Sequence, residues 1–140
     1  MESAIWAKAH GATTHFPLAL ALTSAVLDAA SVALGGRPSG QGLRSAGHWT
    51  MVLAALGTVP AVLSGLIMTR GVVMGHGLLR LHHLFVWPAF ALIVALGAWR
   101  SLRRPNADKR EFAAYLALSW SAAALMAAAA TFGGEMMVAR

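Results

Sequence analysis

The chain has 140 residues, of which 58% are apolar and 11% charged, with a mean hydropathy of +0.64 and a formal net charge of +6. That mixture lies far from ordinary soluble domains and makes a membrane protein the first reading. The basic residues gather at the ends of apolar segments and form no stripe, which argues against a nucleic-acid partner, and the lack of any cysteine excludes disulfides, thiolate metal sites, iron–sulfur clusters and covalently attached haem.

The first apolar run, from Gly11 to Gly36, has Asp28 as its only formal charge. It is opened by "HGATTHFP", with His10 and His15 at the lip and Pro17 just inside. A helix over about 11–35 is expected, with Thr13 or Thr14 capping its first turn. Pro17 is then tolerated in that first turn, where its missing N–H has no partner to lose. No positive n-region or small-residue cleavage site precedes the run, so this helix is expected to stay in the mature protein. Asp28 is expected to pair with Arg37 or Arg44 in the Gly/Ser/Pro turn that follows.

The second helix is expected over about 46–69, kinked at Pro60, which frees the carbonyl of Leu56. Gly57, Ala61 and Gly65 recur every four residues and make a stripe on which another helix approaches closely. His48 stands near its start. A Gly-rich loop containing Met74 and His76 leads to the third helix, over about 80–102, which opens with Arg80, His82 and His83 and holds Pro88. The stretch "RRPNADKRE" is a basic turn with Asp108 placed to start the fourth helix, over about 111–133. That helix is alanine-rich and is expected to stop at Gly133-Gly134, before Glu135 and Met136.

Each run reaches the roughly 20 residues needed to cross about 30 Å of hydrocarbon. None carries the polar face that a soluble bundle requires. The expected fold is therefore all-α: an integral membrane four-helix up-and-down bundle, one domain over residues 1–140. Arg37, Arg44, Arg100, Arg103, Arg104, Lys109 and Arg110 fall at one end, against Lys8, Arg70, Arg80 and Arg140 at the other. By the positive-inside rule both termini are expected on the non-cytoplasmic face.

In that topology His10, His15, His76, His82 and His83 share the non-cytoplasmic end with Glu135, Met74 and Met136, and His48 alone lies opposite. Ionisable groups gathered at the mouth of a membrane bundle mark a functional site. Two imidazoles at matched depth on facing helices would hold a b-type haem in an apolar slot. His15 and His83 are the expected axial pair, with His82 as substitute, Arg80 meeting a propionate and Ala19 making room for the ring. The alternative is a transition-metal site, copper above all, drawn from His10, His15, His76, His82, His83, Met74 and Met136. A third reading is a non-catalytic assembly subunit of a respiratory or photosynthetic complex, its histidines bonded to backbone or lipid. Neither G-x-S-x-G nor H-E-x-x-H occurs, so an independent hydrolase is not expected. The implied partners are the lipid bilayer, a redox protein or quinone, and further copies or subunits in a membrane complex.

The H-x4-H-F-P opening, the second helix ending in "AVLSGL", the third helix opening with histidine and closing in arginine, and the fourth ending in "GGEMM" resemble small four-helix bacterial membrane proteins grouped under a domain of unknown function. The resemblance spans nearly the whole chain. It implies the bundle fold, the bacterial inner membrane, and redox or haem-associated roles. Which of His76, His82 and His83 corresponds to the third-helix histidine of those proteins stays open.

Overall fold

A computed structural model describes residues 2–102 and 108–138. Four helices fill it: α1 Glu2–Leu34, α2 Pro38–Met68, α3 Gly77–Leu102 and α4 Lys109–Val138. All four are long and apolar enough to cross a membrane. At about 1.5 Å per residue even the 26-residue α3 exceeds a bilayer's hydrocarbon core. The expected Arg103, Arg104 and Arg140, and the Pro105-Asn106 break, lie outside the described residues.

Each helix packs on two others, in the cyclic order α1, α2, α3, α4, leaving α1 diagonal to α3 and α2 diagonal to α4. The shared core is built of Ala21, Met51, Ala54, Ala89, Ile93, Leu96, Phe112, Tyr115, Ala122 and Met126. Its alanines let backbones approach closely. Where α2 meets α3, a Cβ added to Gly97 would stand 2.5 Å from that of Ala55. The outer surface is apolar too: Val26, Leu53, Leu56, Leu63, Leu84 and Trp120 are all exposed. A surface of that kind is solvated by lipid, and the polar groups turn inward.

All four helices are longer than the sequence pattern suggests, α3 by starting at Gly77. α1 begins nine residues earlier than expected, at Glu2, because residues 2–10 are good helix formers and Gly11 does not break them. Pro17 therefore sits mid-helix and fully buried. Thr13 and Thr14 are not caps; their hydroxyls donate back to the carbonyls of Ala9, at 2.9 Å, and Gly11, at 3.1 Å. α2 begins at Pro38, since proline at the first helical position starts the rod and does not break it. α4 runs on through Gly133-Gly134 to Val138. Gly35, at φ 61°, ends α1, and Asp108 directly precedes α4, its carbonyl accepting from Phe112 N–H at 2.9 Å.

The buried charge also has a different partner from the one expected. Asp28 is fully buried and paired with Arg100 of α3 at 2.9 Å. Arg44 supplies its backbone carbonyl to the same Arg100 guanidinium, at 2.8 Å, and lays its own guanidinium 3.9 Å from the centroid of Phe112. Arg37 is exposed in the turn. The reason is reach: Asp28 faces the bundle axis, and Arg100 extends inward from the end of the diagonal helix.

Candidate functional site

At the end opposite this ion pair, hereafter the histidine end, the four helices line a partly open cavity of about 700 Å³. Its wall takes His10, Thr14 and His15 from α1, Thr58, Ala61 and Gly65 from α2, His82, His83 and Trp87 from α3, and Met126, Ala129 and Gly133 from α4. A volume in that range suits a small organic ligand or cofactor.

Two histidines face each other across it from the diagonal helices. The rings of His10 and His82 are 6.4 Å apart between centroids and nearly perpendicular, at 82°. His10 Nδ1 lies 2.9 Å from the carbonyl oxygen of Ala61 on α2, and His82 Nδ1 lies 2.8 Å from that of Ala129 on α4. A carbonyl only accepts, so each Nδ1 carries the hydrogen and each Nε2 of the neutral ring keeps a lone pair. Ser64 Oγ supports the first bond, 3.2 Å from His10 Nδ1 and 3.1 Å from Thr13 Oγ1. Glycines make room for both rings. A Cβ at Gly65 would come 2.9 Å from His10 Cε1, and one at Gly133 would come 3.3 Å from His82 Nδ1. The small-residue stripe of α2 thus receives α1: Gly57 meets Phe16 and Pro17, and Gly65 meets His10.

His83 occupies a separate place on the wall. It is 6% exposed, and its Nδ1 is buried with no hydrogen-bond partner. Its ring is 5.6 Å from His82 and 5.9 Å from Trp87.

The expected axial pair is not the pair that meets. His15 lines the cavity but is exposed, and its Nδ1 is hydrogen-bonded to the carbonyl of Gly11 in its own helix. Because α1 starts early, the imidazole level with His82 is His10. His15 lies five residues deeper and about 140° around the helix. His83 points toward Trp87, while His82 takes the face turned to α1. Arg80, His76, Met74 and Glu135 are exposed and do not line the cavity; Ala19 is exposed as well. Met136 does line it. Among the described residues no three His, Cys, Asp or Glu side chains gather in a way that could hold a metal ion.

A signal for His10 was present in α1. His10, Thr13, Pro17, Ala21, Ser24, Asp28 and Ser31 follow each other at spacings of three and four, a narrow stripe of small or polar residues in an otherwise apolar helix. From Pro17 onward every one of them is buried. His15 is off that stripe.

These features define a four-helix, multi-pass membrane protein with an internal cavity walled by histidines at one end. No curated protein and no solved structure matches it. The chain belongs to the family described as "Predicted membrane protein (DUF2231)", whose model matches residues 8–140.

Proposed function

We propose that this protein is a membrane-embedded b-type haem protein for electron transfer, with the haem in the cavity and His10 and His82 as its axial ligands. One observation carries the reading: both rings line the cavity and each has its Nδ1–H on a backbone carbonyl of a neighbouring helix, so that Nε2 is the nitrogen left to act as a ligand. That outer hydrogen bond is the usual support of a metal-ligating histidine, fixing tautomer and orientation and raising ligand basicity.

The two rings come from diagonal helices and stand 6.4 Å apart between centroids, near enough that His10 and His82 together would hold one haem iron. A tetrahedral copper or zinc site would need further ligands, and no such group of three is assembled among the described residues. The haem would supply one-electron chemistry, and the protein's part is to hold the two imidazoles, exclude water with an apolar wall and keep the slot open with Gly65 and Gly133.

Arg37, Arg44, Arg100, Lys109 and Arg110 at the opposite end outnumber Lys8, Arg70 and Arg80 among the described residues, so the positive-inside rule supports a histidine end on the non-cytoplasmic side of a bacterial inner membrane. There the site would exchange electrons with a redox protein or the quinone pool.

The test is a reduced-minus-oxidised visible spectrum with metal analysis on detergent-purified protein. Low-spin b-type bands with stoichiometric iron are expected, lost in His10→Ala and in His82→Ala and kept in His15→Ala. Absence of iron, or bands unchanged in His10→Ala, overturns the reading; copper without haem would favour a metal site, and neither metal a packing subunit.

A further inference from the structure

His83 has no role in the axial pair, yet it is the cavity's most buried histidine. Its Nδ1 is shut away from solvent without a hydrogen-bond partner, an arrangement that costs free energy unless something fills it. The ring itself belongs to a wall of particular shape. His83, Trp87 and Phe90 lie at i, i+4 and i+7 of α3, and all three line the cavity. Trp87 is tilted 34° to His83 at 5.9 Å and stands edge-on to Phe90 at 6.4 Å. The indole N–H of Trp87 is already committed, to the carbonyl of Val73 at 2.8 Å, so its ring offers only its apolar face. One hydrogen-bonding nitrogen above aromatic faces, in a chamber within the bilayer's reach, matches a flat apolar ring with an oxygen on its edge.

We propose that His83, Trp87 and Phe90 form the binding place for the headgroup of a lipid-soluble quinone or quinol, with the His83 imidazole hydrogen-bonded to a ring oxygen. The choice of a redox carrier among flat apolar ligands rests on the electron-transfer reading, because the His83 ring is 5.6 Å from that of His82. A carrier seated here would lie beside the axial pair, and its tail would leave among lipid-facing side chains. The aromatic faces supply stacking area, and the single polar contact supplies orientation.

The test is equilibrium dialysis of decylubiquinone against the detergent-purified full-length protein, with the visible spectrum recorded on the same samples. Saturable binding at one site is expected. His83→Leu should weaken it at least tenfold, as loss of the only polar contact predicts. His83→Gln, which keeps a hydrogen-bonding group, should bind within a few-fold of the parent and guards against a folding artefact. The proposal is overturned if the parent does not bind decylubiquinone saturably, or if His83→Leu binds as the parent does. The two readings separate cleanly: haem without quinone binding removes this site alone, and His83-dependent quinone binding without iron removes the haem reading alone.

Discussion

Asp28 and Arg100 are 72 positions apart in the chain and meet at 2.9 Å inside the bundle, joining diagonal helices that otherwise make little contact. The neighbours are arranged around them. Ser24 Oγ donates to the Gly47 carbonyl at 2.8 Å, holding α1 to α2. A Cβ at Gly47 would stand 2.6 Å from Asp28 Oδ1, and the Arg100 guanidinium lies 4.9 Å from the ring centroid of Tyr115 on α4. All four helices therefore meet at one buried charge pair.

Removing one member of that pair leaves the other charge uncompensated in an apolar interior, which costs about 3–5 kcal/mol. Asp28→Leu and Arg100→Met are each expected to lower the unfolding midpoint in detergent strongly. The double variant should recover most of the loss, because it leaves neither member of the pair without its partner. Unfolding curves for the three variants measure the coupling directly. Additive losses would show that the pair is not a unit.

Adjacent glycines of α4 give opposite expectations. A Cβ at Gly133 meets His82 Nδ1 at 3.3 Å, whereas one at Gly134 meets nothing within 4 Å. Gly134→Ala should stabilise by up to about 1 kcal/mol through helix propensity alone. Gly133→Ala forces the His82 ring to shift and should lower occupancy of the proposed haem site. On α2, Gly65→Ala, whose Cβ comes 2.9 Å from His10 Cε1, should be the most damaging of the three, at about 1–3 kcal/mol of overpacking. Occupancy and midpoint measured on all three give the order; equal behaviour of Gly133→Ala and Gly134→Ala would contradict it.

The four spans were readable because each is a long apolar run without a polar face, and lipid imposes that pattern directly. Helix starts were less so: Pro38, read as part of the turn, is a first helical residue, and Gly11, read as the start of the first helix, is an interior one. That difference propagates to the site. With α1 taken to begin near residue 11, His15 has the right depth; with α1 beginning at Glu2, His10 has it. The stripe of Gly57, Ala61 and Gly65 announced a close helix contact, but a row of small residues does not say which side chain of the partner will fill it. Arg100 read as a charge for the membrane surface, and only the packed bundle brings it to Asp28.

Orientation can be read with single cysteines, because the chain has none of its own. Val73 is 55% exposed in the loop at the histidine end, and Gln41 is exposed in the first turn of α2 at the other. In intact cells a membrane-impermeant maleimide is expected to label Val73→Cys and to reach Gln41→Cys only after lysis. The reverse pattern would put the histidine end in the cytoplasm and set aside a periplasmic electron partner.

Arg70 tests the local energetics of the loop beside the cavity. α2 ends with the Gly71 N–H bonded to the Leu66 carbonyl at 2.8 Å and the Arg70 N–H bonded to that of Ile67 at 3.1 Å, the paired bonds of a Schellman ending. This geometry holds Arg70 in the left-handed region, at φ 53°, where it is the one described residue other than glycine with a positive φ. A side chain there costs about 1–2 kcal/mol. Arg70→Gly relieves that cost and gives back part of it through greater freedom of the unfolded chain, so a net gain of about 0.5–1 kcal/mol is expected. Arg70→Val should go the other way, since a branched Cβ suffers most in that region. Unfolding midpoints in detergent decide it. A glycine variant less stable than the parent would show that the arginine side chain, not the backbone, holds this turn.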